Sequence, residues 1–126
     1  MLDIFETDIP RLTGKEKRKV YVYIPEEEGN FPVLYMFDGQ NIFLDEEATY
    51  GKSWGMKEFL EENQIPLIVV GVECSHHRED EKCGGRLSEY SPFSFSDPEF
   101  GDIKGRGKLT MDFYVKELKP YIDDNY

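Results

Sequence analysis

Cysteine, histidine and tryptophan are scarce in this 126-residue sequence, which has two, two and one of them respectively. Cys74 and Cys83 could close only one small loop, which excludes a disulfide framework and leaves free thiols as the expectation. Long hydrophobic runs are missing as well. The longest, Leu67 to Val72, is far short of the roughly 20 residues that cross a bilayer. Met1 to Glu6 has no basic segment followed by an apolar one, so no export signal is read and a cytoplasmic location is expected. Basic residues are outnumbered, 15 against 26 acidic ones, for a formal charge of −11. A field of that sign repels phosphate backbones and anionic headgroups, which argues against nucleic acid and membrane surfaces as partners. Internal repeats and low-complexity tracts are absent.

What is present is enough apolar and aromatic material for a core. Nine phenylalanines and eight tyrosines, in a chain 39% hydrophobic and 33% charged, exclude the aromatic-poor composition of an acidic disordered segment. The length suits one folding unit, so residues 1–126 are expected to form a single domain.

Leu2 to Leu12 and Arg18 to Ile24 both read as extended. In the second, Val20, Val22 and Ile24 alternate with Tyr21 and Tyr23 as a pleated strand requires. The short polar link from Thr13 to Lys17 suits an antiparallel hairpin. Phe31 to Phe37 and Pro66 to Glu73 are continuous apolar runs, expected to be parallel strands buried on both faces. Between them, Ser53 is the expected N-cap of a helix that reaches about Asn63, with Met56, Phe59 and Leu60 on one stripe. Ser75 to Gly107 is expected to be irregular. Met111, Tyr114, Val115, Leu118, Tyr121 and Ile122 then recur at helical spacing, with Pro120 predicting a kink or a loosened last turn. The order β-β-β-α-β-α describes an α/β sheet that stops one strand early, leaving the edge beside Phe31 to Phe37 open to self-association.

Four segments carry candidate chemistry. Gly51-Lys52-Ser53-Trp54-Gly55 spells G-x-S-x-G, the nucleophile elbow, but that turn needs a buried strand before it and Leu44 to Tyr50 is acidic and loop-like. Helix capping is the alternative for Ser53. Asp38-Gly39-Gln40-Asn41 follows the C-terminal end of a buried strand, where α/β sheets place ligands, and an N–H of Gln40 or Asn41 there could donate to an oxyanion. An ordinary turn capped by Asp38 is the alternative. The cluster Asp45, Glu46 and Glu47 does not match a calcium loop. Cys74, His76, His77 and Cys83 crowd one charged loop, whereas structural zinc sites bring paired ligands from separate knuckles, so no metal is expected. Arg86, Glu89 and Tyr90 could either face a cleft or rigidify a surface loop.

Taken in order, Val33 to Phe43, Trp54-Gly55 opening a helix, Ile68 to Glu73, Arg86 to Pro92 and Leu118 to Asp123 resemble the esterase branch of the α/β-hydrolases, the family that includes esterase D and enterochelin esterases. The resemblance covers nearly the whole chain. It implies the N-terminal portion of an α/β-hydrolase sheet: an antiparallel hairpin, then a parallel βαβ unit with covering helices, with the central edge incomplete. It also implies a serine hydrolase acting on small-molecule carboxylic esters or thioesters by acyl transfer, with no cofactor. Gln40 and Asn41 correspond to the oxyanion-hole loop. Trp54 is similar to the family's aromatic beside the acyl or alcohol pocket, and Arg86, Glu89 and Tyr90 match a loop motif that shapes the cleft; Asp38 and Gly39 are expected to bind substrate from their place after the buried strand. In that pattern the nucleophile, acid and histidine all lie beyond Tyr126, so no catalytic residue is expected within the chain and the 126 residues alone are expected to be inactive. A non-catalytic binding module of the same fold is the competing reading.

Overall fold

A computed structural model of the protein describes residues 1–13, 16–75 and 85–126. These fall into two compact units, Met1–Thr7 with Lys17–Cys74, and Asp8–Glu16 with Ser75–Tyr126.

The first unit is a mixed sheet in the order β1 (Leu2–Asp8), β2 (Lys17–Tyr23), β4 (Ile68–Val72), β3 (Val33–Met36). Met1 and Ile24 exchange main-chain bonds of 2.8 Å in each direction, which sets β1 antiparallel to β2. β3 and β4 are parallel, with Leu34 opposite Val69, and α2 (Met56–Glu62) crosses between them, as expected. β2 runs antiparallel to β4, with Tyr23 opposite Val69 and Val20 opposite Val72. Val20 to Tyr23 and all of β4 are buried because these two strands have neighbours on both sides. Tyr21, Tyr23 and Val69 join Ile42, Phe43 and Leu60 in one apolar cluster. Burying side chains of this size contributes about 1.5–3 kcal/mol each.

Three expectations for this unit are corrected. The run Phe31 to Phe37 is not buried on both faces: its strand is only Val33–Met36, no residue of that strand is buried, and Leu34 and Phe37 are 42% and 43% exposed. Among the described residues β3 pairs on one side only, so it is the sheet edge and lacks the cover that β4 has. Ser53 is not the N-cap of α2. Gly55 holds that place at a φ of 65°, a left-handed conformation that glycine reaches without a Cβ clash, and the Ser53 hydroxyl oxygen accepts the Gly55 N–H at 3.2 Å. Phe59 is exposed, leaving Met56 and Leu60, one turn apart, to face the core.

In the second unit, the extended segment expected to reach Leu12 gives way after Asp8 to one helical turn, α1 (Pro10–Thr13). The N–H groups of Leu12 and Thr13 both donate to the Ile9 carbonyl at 2.8 Å, and the Thr13 hydroxyl donates to it at 3.1 Å. Ile9 and Leu12 are buried, and their three-residue spacing is that of a helical face. Gly14 and Lys15, in the expected hairpin link, lie outside the described residues. The stretch expected to be irregular contains α3 (Gly85–Tyr90) and an antiparallel hairpin, β5 (Phe95–Asp97) with β6 (Gly101–Ile103). The Asp97 carboxylate builds the hairpin turn by accepting the N–H groups of Glu99 and Phe100 at 2.8 and 3.0 Å.

The C-terminal helical segment comprises α4 (Gly107–Phe113), a π-helical turn (Tyr114–Leu118) and α5 (Lys119–Asn125). Thr110, Phe113, Tyr114, Leu118 and Ile122 form its buried face. Met111, Val115 and Tyr121, expected on that stripe, are exposed instead. Met111 and Val115 sit about 100° around the axis from Thr110 and Tyr114. The loosening expected around Pro120 falls in the turn before it, where the Lys119 N–H reaches back five residues to the Tyr114 carbonyl. A proline cannot donate to the Lys116 carbonyl and its ring would crowd that group, so a widened turn there relieves both demands. No helix among the described residues is long and apolar enough to cross a membrane.

Candidate functional site

The chain leaves β3 through Asp38, whose φ of 56° and ψ of 48° are left-handed, and enters a 3-10 turn, Gly39–Asn41. A Cβ on Gly39 would sit 2.5 Å from the Gly71 carbonyl carbon, and one on Gly71 would sit 2.5 Å from Ile42 Cδ1 and 2.9 Å from the Gly39 Cα. Two glycines therefore let this turn lie directly on the backbone of β4. Asp38 is buried but makes no side-chain cap bond, which corrects the capped-turn alternative. Its carbonyl accepts the Asn41 N–H at 2.9 Å, so that donor is spent inside the turn.

The Gln40 side chain clasps the strand behind it. Its Oε1 accepts the Cys74 N–H at 3.1 Å, and its Nε2 donates to Cys74 Sγ at 3.1 Å and to Thr49 Oγ1 at 3.3 Å. Its main-chain N–H meets no acceptor among the described residues. A donor held by a buried amide side chain, at the first turn after a parallel strand, suits a developing negative charge.

Asn41 ties the following loop to this turn. Its Oδ1 accepts the Thr49 N–H at 2.9 Å and its carbonyl accepts the Trp54 N–H at 2.8 Å. The structure thus brings Asp38, Gly39, Gln40, Asn41 and Trp54 into one neighbourhood. Beside it opens a cleft of about 410 Å³ lined by Phe43, Asp45, Glu46, Lys52, Trp54 and Glu58 among others. Asp45 Oδ1 accepts the Ser53 N–H at 2.8 Å, and that bond holds the carboxyl below the usual carboxylate range. Ser53 follows loop and turn rather than a strand, so the strand-turn-helix context of a nucleophile elbow is absent there. His76 and His77 lie outside the described residues.

Sequence reasoning missed a polar cluster near this loop. Glu47 accepts Lys19 Nζ at 3.0 Å and the Tyr21 hydroxyl at 2.8 Å. The Lys19 ammonium, and then the Tyr21 hydroxyl, hold Glu47 below its ordinary pKa; burial, and then the Glu47 hydrogen bond, push Tyr21 well above its own. The partners are 26 and 28 residues apart in sequence, and no periodicity links them.

Arg86, Glu89 and Tyr90 lie on α3 in the second unit. The Arg86 guanidinium carbon is 5.3 Å from the centre of the Tyr90 ring, four residues along the helix. Glu89 is buried; its Oε2 accepts the Ser75 N–H at 3.0 Å and its carbonyl accepts the Thr110 hydroxyl at 2.6 Å. Arg106, also missed, donates through Nε to Ser88 Oγ at 2.8 Å and through its guanidinium to the Leu12 carbonyl at 3.1 Å. Among the described residues no three His, Cys, Asp or Glu side chains are placed to hold a metal ion. Of the four residues weighed for zinc only Cys74 is described, and its buried thiol receives the Gln40 amide.

A mixed sheet with an antiparallel hairpin, a parallel βαβ unit and a tight 3-10 turn after the third strand defines an α/β-hydrolase-like fold. Residues 12–126 match the family described as "Putative esterase", and the chain belongs to that family. It is 25% identical over 117 residues to the uncharacterised protein YbbA of Bacillus subtilis, covering 86% of this chain and 40% of YbbA. Among solved structures it is similar to the BES protein from Bacillus cereus, at a TM-score of 0.62 and 22% identity over 99% of this chain and 46% of that one. It is similar also to an IroE-like serine hydrolase from Shewanella oneidensis, at a TM-score of 0.62 and 22% identity, covering 98% of this chain and 38% of the other. The chain therefore spans less than half the length of these relatives.

Proposed function

We propose that this chain supplies the oxyanion-binding turn and one wall of the substrate cleft of a serine hydrolase acting on carboxylic esters or thioesters. The observation that carries the proposal is the Gln40 N–H, which meets no acceptor among the described residues and stands on a turn locked to β4, one residue before Asn41, whose carbonyl holds the cleft-lining Trp54. In such a reaction the serine oxygen attacks the ester carbonyl, and the carbonyl oxygen, gaining negative charge, takes the Gln40 N–H as a donor. A second electron-pair shift then expels the alcohol or thiol, which takes up the proton that the serine gave to its base. Removing one oxyanion donor typically costs about 10²–10³ in kcat, so the turn assists chemistry that another group must begin.

Ser53 is not that group in this proposal. Its hydroxyl oxygen accepts the N–H of Gly55 and its N–H donates to Asp45, so it belongs to the structure of the loop. The nucleophile, acid and histidine are placed beyond Tyr126, on a strand that would pair with β3 and on the loops after it. Purified as 126 residues, the protein should hydrolyse nitrophenyl acetate no faster than its Ser53→Ala variant and be insensitive to a serine-directed inhibitor. Turnover abolished by Ser53→Ala would overturn the assignment.

A further inference from the structure

The cleft beside Trp54 has a charge preference written into its walls. Trp54 is 56% exposed, although the pairing of its main-chain N–H with the Asn41 carbonyl fixes its backbone. An indole left open in a cleft offers the strongest side-chain π-face for a cation. Three carboxylates, Asp45, Glu46 and Glu58, line the same cleft against the single ammonium of Lys52. That ammonium is 3.9 Å from Asp45, which also holds the Ser53 N–H, so Asp45 is already engaged. The Glu46 and Glu58 carboxylates accept no hydrogen bond and form no ion pair among the described residues, although Glu58 interacts electrostatically with Lys57, whose ammonium pairs with Glu61 at 3.1 Å. The chain's −11 charge adds a long-range field of the same sign.

We infer that this cleft receives an organic cation, a protonated or quaternary amine carried on an apolar or aromatic body. Applied to the esterase reading, on which this step rests, it names the substrate class: esters with a positively charged group on the part lying against Trp54, and not esters of anionic acids or alcohols. The apolar body would stack on the indole, and the charge would face Glu46 and Glu58.

Trp54 is the only tryptophan in the chain, so its emission reports this cleft without turnover. Benzyltrimethylammonium, benzyl alcohol and benzenesulfonate would be titrated into the 126-residue protein at constant ionic strength. The cation should give a saturable change and bind about fivefold or more tightly than the alcohol, with no saturation by the sulfonate. Replacing both exposed carboxylates, Glu46→Gln with Glu58→Gln, should weaken cation binding about fivefold while leaving the far-ultraviolet dichroism unchanged. A flat cation titration, equal binding of alcohol or sulfonate, or a double variant that binds the cation undiminished would each overturn the inference. Because no hydrolysis is measured, those failures leave the esterase reading standing, and an inactive protein leaves this inference standing.

Discussion

Gly39 carries the geometry of the candidate site, because its neighbour across the turn is main chain that cannot step aside. Gly39→Ala should lower stability by about 1–3 kcal/mol in urea unfolding, since the added methyl would overlap the Gly71 carbonyl. An unchanged midpoint would mean that the turn does not rest on β4. Glu47 makes a pH-dependent prediction. Its pKa is depressed in the folded protein, so its contribution is present above its ordinary value of 4.5 and is lost as pH falls through the lower folded value. Lys19 and Tyr21 are raised, so theirs are full below 10.5 and 10.0 and are lost as pH climbs past those values. Glu47→Gln should therefore cost about 1 kcal/mol at neutral pH and make the acid unfolding limb shallower. Denaturant midpoints measured from pH 3 to 7 that keep the parent slope would contradict this. At this scale the sequence was partly readable. Gly39 announces a sharp turn, but the left-handed Asp38 does not, and the bonds joining Gln40 to Cys74 cross 34 residues that only the sheet brings together.

Elements were legible where one pattern dominated. Val20 to Tyr23 alternate and Ile68 to Val72 form an unbroken apolar run, and both are central strands. The same logic failed for Phe31 to Phe37, because hydrophobicity marks a strand without saying how many neighbours it has. α3 and the β5-β6 hairpin escaped because each is too short to establish a period; the hairpin turn depends on one Asp97 carboxylate. The open edge has a physical consequence. An edge strand that presents Leu34 to solvent, with exposed Phe37 just after it, and pairs on one side only among the described residues should drive concentration-dependent self-association, and Leu34→Lys should suppress it without loss of helix or sheet signal. Sedimentation velocity checks this: identical concentration dependence in parent and variant would place any association elsewhere.

For the whole molecule, composition excluded more than it identified. The −11 charge and the absence of long apolar runs disfavoured several partners, yet the family became visible only when turn, helix and strand segments were read in order along the chain. The fold bears that order out over nearly all of this chain and under half of its structural relatives. The central claim is that an oxyanion turn and a substrate wall are present here while the attacking hydroxyl is not. The most direct test is intact-mass analysis after exposing the 126-residue protein to a fluorophosphonate, which adds covalently to an activated serine by displacing fluoride. The account predicts no adduct at Ser53 or any other serine. A stoichiometric adduct on Ser53, absent from Ser53→Ala, would contradict it.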